Sequence, residues 1–179
     1  MILEDTFLFF ARYPEHSGVM KNFNKKSQAE RYLSFKSAAQ ALNIKSTYPE
    51  ITDYVFGVSD EAVKKRISTI QGLYLFVDYG NIRTTENSYK VKKDSFDLSL
   101  TIAKPFSSNA GFDSIEELIE IDRALELLAL IKTNISENRE DPYVKKLTLP
   151  TEIIPFASKE LSNSFGFSMV FQLEGIEMI

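Results

Sequence analysis

Cysteine and tryptophan are absent from this chain, and histidine occurs once. Without thiols there can be no disulfide, no thiolate metal ligand and no cysteine nucleophile. The lone histidine, His16, leaves a histidine-based triad a single candidate base. It falls in the stretch YPEHSG, whose composition predicts a solvated turn and no catalytic role. Glycine is sparse: Gly18, Gly57, Gly72, Gly80, Gly111, Gly166 and Gly175 never fall into GxGxxG or GxxxxGK[ST] spacing, so no phosphate cradle is legible and no cofactor is expected. No apolar run approaches the ~20 residues that span a bilayer, which excludes a spanning helix from the expectation. The opening MILEDTFLFFARYPEH is apolar in patches, yet it holds Glu4 and Asp5 and has neither a basic leader nor a small-residue cleavage site, so cytoplasmic synthesis is expected. A formal net charge of −4 gives no long-range attraction for a phosphate backbone and argues against nucleic acid as a primary ligand.

What remains is an ordinary globular composition: 179 residues, 44% hydrophobic and 26% charged, enough to bury a real core. Residues 1–179 are expected to form a single domain, with a helical and loop portion over 1–70 and a sheet-plus-helix core over 71–179. Aromatic residues cluster at Phe7, Phe9, Phe10 and Tyr13, where a short helix over roughly 3–12 is possible. KNFNKK at 21–26 reads as a loop. Ser27 and Glu30 have capping-box spacing, predicting a helix over about 28–42 with Tyr32, Phe35, Ala39 and Leu42 on one face. Ser59, Asp60 and Glu61 mark a second, short helix ending near Ile67.

From Leu73 the period changes to two. Leu73, Leu75, Val77 and Tyr79 face one way, and Tyr74 and Phe76 make the other face apolar as well, so this strand is expected to be covered on both sides. Phe96, Leu98, Leu100 and Ile102 alternate with Asp97, Ser99 and Thr101, which predicts a strand open to water on one face. Turn residues at Glu86, Asn87 and Ser88 join the two as an antiparallel hairpin, with a bulge expected near Lys92–Asp94 to reconcile their parity. Ser114 and Glu117 repeat the capping box and open a long helix, SIEELIEIDRALELLALIKTNI. LTLPTEIIPF, with Pro150 and Pro155, reads as an edge strand, and Phe165, Phe167, Met169, Phe171 and Leu173 line one face of a last strand. The predicted class is α+β: a mostly antiparallel four- to five-stranded sheet with one long helix packed on a face and short N-terminal helices.

Candidate chemistry is thin. Asp94 and Asp97, or Glu116, Glu117 and Glu120, could ligate a hard cation, but acids in a first helical turn are favoured by the dipole without any metal, so no metal site is assigned. Lys90, Lys92 and Lys93 near the hairpin bend, and Lys21, Lys25 and Lys26 in a loop, read as charges that keep edges soluble. Two features resist a core explanation. The long helix is apolar at Ile115, Leu118, Ile119, Ile121, Ala124, Leu125, Leu127, Leu128, Ala129, Leu130 and Ile131, more than a core stripe needs, and the end GIEMI carries Ile176, Met178 and Ile179. The expected interface is therefore Leu127, Leu128, Ile131, Ile176, Met178 and Ile179.

In order, the hairpin ending in FDLSLTIAKPF, the helix SIEELIEIDRALELLALIKTNI, then LTLPTEIIPF and FGFSMVFQLEGIEM, the chain resembles phage tail-terminator and tail-completion proteins. The resemblance covers residues 73–179 and implies a non-enzymatic subunit of a homo-oligomeric ring, found in a virion and meeting tail-tube or connector proteins. Ring contacts are heterologous, so two different faces of each subunit must bind. An alternative expectation is a small-ligand or regulatory module, with an apolar cavity between sheet and helix lined by several of Tyr74, Phe76, Phe96 and Phe167. A third is a metal enzyme built on carboxylates that include Asp97.

Overall fold

The computed structural model describes residues 1–42, 46–58, 61–86, 92–106, 114–149 and 152–174. In chain order the elements are α1 (Ile2–Phe10), α2 (His16–Met20), α3 (Glu30–Ala41), β1 (Ile51–Phe56), α4 (Glu61–Ile67), β2 (Leu73–Glu86), β3 (Lys92–Pro105), α5 (Ser114–Glu137), a short 3-10 turn at Val144–Lys146, β4 (Leu147–Thr148), β5 (Ile154–Ser158) and β6 (Ser164–Glu174).

Period-two alternation does what it should in the centre of the sheet. β2 and β3 pair antiparallel, and β6 lies along the other side of β3 from Ser95↔Glu174 to Pro105↔Ser164. Phe96, Leu98, Leu100 and Ile102 therefore share a face with Met169, Phe171 and Leu173, and all are buried. α5 closes that face with Ala124, Leu127, Leu128, Ile131 and Ile135. Tyr74 and Phe76 point the other way, into a smaller cluster with Val63 and Ile67 of α4 and with Leu161. The two-sided burial expected of β2 follows from this pair of layers.

The class is α+β, but the sheet has six strands in the order β1-β2-β3-β6-β4, with β5 also on β6. The added strand is ITDYVF, whose run of apolar residues Thr52 and Asp53 interrupt. It runs parallel to β2, crossing over through α4, beside four antiparallel pairings elsewhere. Its alternation is masked by a register shift between Ile51 and Asp53. Residues 1–70 thus contribute a strand to the sheet as well as helices. LTLPTEIIPF is two short strands on the same edge of β6. The bulge lies between Tyr79 and Ile82 on β2, whereas Glu86↔Lys92 to Ile82↔Phe96 runs without a break, so the expected irregularity at Lys92–Asp94 is corrected to the other strand. An extra residue is accommodated there beside Gly80.

β1 is an edge strand, and edges left open invite pairing with another chain. Here α2 lies across it. A Cβ on Gly18 would stand 2.3 Å from the Thr52 carbonyl oxygen, so only glycine lets the helix backbone seat so closely. The Glu15 N–H donates to the Ile51 carbonyl at 2.8 Å. Asn22 Nδ2 and Arg66 Nη2 both donate to the Tyr54 carbonyl at 3.0 Å. His16 opens α2, where a turn was expected. α3 begins at Glu30 after Ala29, and its start has no capping box: the Ser27 hydroxyl accepts from the Ala29 N–H at 3.3 Å, one residue short of the expected partner.

Phe7, Phe9 and Phe10 of α1 belong to the main core, with Phe10 6.1 Å from Phe171 and Phe9 stacked on Tyr143 at 4.4 Å. Buried hydroxyls fasten the same layer. Tyr54 donates to the Phe7 carbonyl at 3.0 Å, Tyr143 to Thr6 Oγ1 at 2.9 Å, and Tyr13 to Asn134 Oδ1 at 3.1 Å. Burial raises the pKa of all three, because the phenolate would be stranded without water.

Candidate interaction surfaces

α5 is 24 residues long but is sheathed by the sheet only over its later turns. From Ala124 onward the residues at helical spacing, Leu127, Leu128, Ile131 and Ile135, are completely buried. Over the first turns the body falls away on one side. Glu120 reaches back to Lys104 at 2.9 Å and anchors the helix above the end of β3. The opposite face carries Ile115, Leu118 and Ile119, which remain 57%, 59% and 63% exposed. Spaced i, i+3 and i+4, they form one apolar ridge. Leu130 continues it at 41% exposure, and exposed Asp122 and Glu126 lie along it. Glu126 is paired with Arg123, which also binds Glu50, while Asp122 has no ion pair among the described residues.

This placement corrects the expected interface. Leu127, Leu128 and Ile131 are core of the subunit itself and offer nothing to a partner. Ile176, Met178 and Ile179 lie outside the described residues, as does Lys90. The surplus of apolar residues on the helix is real, but it surfaces on the face opposite the stripe of Leu127, Leu128 and Ile131. Ile115, Leu118 and Ile119 are the residues missed, and their signal was the same i, i+3, i+4 spacing.

A second apolar surface lies where the β2–β3 hairpin leaves the body. Beyond Tyr79 the β2 arm is exposed throughout, including Ile82 at 45%. Between the arm and the start of α1 is an open groove of about 360 Å³, walled by Ile2, Leu3, Tyr79, Ile82 and Phe96, with Arg31 at its rim held by Glu4 at 2.8 Å. Leu3 is 42% exposed.

The aromatic cavity expected between sheet and helix is not assembled. Tyr74 and Phe76 are in the α4-side cluster, whereas Phe96 and Phe167 are on the α5 side, so the four cannot wall one pocket. The candidate carboxylates are likewise dispersed. Asp97 pairs with Arg83 at 2.9 Å and accepts from Gln172 at 3.1 Å, Asp94 accepts from Thr84 at 2.6 Å, and Glu120 binds Lys104. Among the described residues no group of three or more acids or histidines is placed to hold a metal, and no helix is long and apolar enough to cross a membrane. Lys21 binds the buried Asp53 at 2.5 Å, joining α2 to β1.

No family model matches the chain, and neither a curated protein nor a solved structure is significantly similar to it.

Proposed function

We propose that this chain is a non-enzymatic structural assembly subunit that acts by associating with further copies of itself. The observation that carries the reading is the exposed ridge of Ile115, Leu118 and Ile119. Each large aliphatic side chain left in water forgoes about 1.5–3 kcal/mol of burial, and three adjacent ones on an anchored helix make a patch with the character of a docking site. The second surface, around Ile82 and Leu3, gives the two distinct faces that ring-forming contacts need. Together with the order of hairpin, helix and closing strands, this favours a ring subunit of the tail-terminator or head–tail joining kind, working in a virion against tail-tube or connector proteins. Sedimentation of the purified chain tests the reading. The expected result is a species several times the 20.4 kDa of one copy, and a protein that stays at 20.4 kDa at high concentration would overturn it.

A further inference from the structure

On the sheet face opposite α5, one half-buried charge is left without a counter-ion. Arg66 stands in the last turn of α4. Its Nη2 donates to the Tyr54 carbonyl at 3.0 Å and to Asn22 Oδ1, which fastens α4 to the edge of β1. Both acceptors are neutral. Among the described residues nothing accepts from Nε or Nη1, and no carboxylate forms an ion pair with the guanidinium. Burial lowers the pKa of this arginine, the mark of a charge deprived of water, and the nearby Asp53 offsets only part of the effect.

Arg66 lines an open cleft of about 360 Å³ between the end of α2, β1 and the residues that follow α4. That volume sits at the small end of the roughly 300–1,000 Å³ that small-molecule sites occupy. The acid in its wall is already committed: Asp53 Oδ1 is bound by Lys21 at 2.5 Å, and Oδ2 accepts from Thr52 Oγ1 at 3.1 Å. Lys21, Arg66 and Asp53 therefore leave one positive charge uncompensated in the cleft lining. The spare hydrogen-bonding capacity has the same sense. Nε and Nη1 of Arg66 are donors only, the Lys21 ammonium has three donors and its side chain is 62% exposed, and the exposed Asn24 amide makes no hydrogen bond among the described residues. Ile70 and Val55 supply an apolar wall beside them. Unused donors call for a ligand that accepts, and an uncompensated half-buried cation calls for one that is negatively charged. Hydrogen bonds between such partners are the strong kind.

We propose that this cleft binds a small oxyanion, a phosphate or carboxylate group, seated against Arg66 and Lys21. The site is independent of the assembly surfaces, which lie on α5 and at the hairpin arm.

Titration calorimetry of the full chain tests it, with sodium phosphate in one arm, sodium acetate in another and sodium chloride at matched ionic strength as the blank. Saturable heat corresponding to one site per chain is expected, and the arm that binds more tightly tells whether the ligand's head is phosphate or carboxylate. No saturable heat in either arm, or the same heat with chloride, would overturn the site. Arg66→Gln keeps an N–H donor for the Tyr54 carbonyl and removes the charge. It is expected to weaken binding by at least about tenfold, the loss of one hydrogen bond to a charged group. If circular dichroism shows that variant unfolded, Asn24→Asp replaces it, setting a second acid in the cleft from an exposed position and leaving the Arg66 contacts intact, and the same loss is expected. Unchanged binding in the folded variant would overturn the proposal. Oligomeric state enters none of these outcomes, so the assembly reading stands or falls separately.

Discussion

The two halves of α5 are written in nearly the same alphabet and meet opposite fates. Leu127, Leu128 and Ile131 are sealed against Leu98, Leu100 and Met169, whereas Ile115, Leu118 and Ile119 look into solvent. Nothing in their side-chain chemistry separates the two groups. The difference is made by the helix face: at 3.6 residues per turn Ile115, Leu118, Ile119 and, further on, the exposed Leu130 lie opposite the stripe of Ala124, Leu127, Leu128, Ile131 and Ile135 that meets the sheet. Apolarity therefore marks which residues want burial, and the tertiary frame decides which of them obtain it within one copy.

That contrast can be put to a direct stability test. Leu128→Ala empties a fully buried site and is expected to lower the unfolding free energy by about 2–5 kcal/mol in urea titrations. The buried half should also respond to alkali. Burial pushes Tyr74 from 10.0 up to about 12, and Tyr13, Tyr54 and Tyr143 are raised as well. The unfolded chain gives up these protons near pH 10 while the folded chain keeps them, so their contribution is intact below pH 10 and is lost as pH rises from there toward 12. Each tyrosine adds about 1.4 kcal/mol of loss per pH unit in that window. The share of the phenolate absorbance that belongs to these four of the eight tyrosines should accordingly rise with unfolding, not before it. Tyr143→Phe, which removes the donor to Thr6, is expected to cost about 0.5–1.5 kcal/mol. Smallest of all, Leu118→Ala should change the stability of dilute protein by no more than about 0.5 kcal/mol. A loss like that of Leu128→Ala would erase the distinction between the halves.

Much of the frame was legible because alternation is a local signal. Leu73 to Val77, Phe96 to Ile102 and Met169 to Leu173 occupy the strands and inward faces that their period implies, but the other face of β3, expected open to water, is closed at Thr101, which is buried and hydrogen-bonded to Ser168. β1 was not legible, since Thr52 and Asp53 interrupt its apolar run and the shift after Ile51 turns the pattern over. The capping box at Ser27 failed for a related reason: the spacing was present, but Ser27 lies outside the helix and bonds Ala29 instead. The interaction surface was half legible. An apolar surplus on one helix can be counted from sequence, but choosing the exposed face requires knowing which side of the helix the sheet takes and that Phe7, Phe9 and Phe10 fold in beside Phe171. Those are long-range facts with no local signature.

Amide hydrogen exchange along α5, followed as protein concentration is raised, tests the central claim most directly. The account predicts that protection over residues 114–123 climbs with concentration as neighbouring copies cover the ridge, while residues 124–137, already sealed by their own sheet, stay unchanged. Exchange over 114–123 that is the same in dilute and concentrated protein would contradict it.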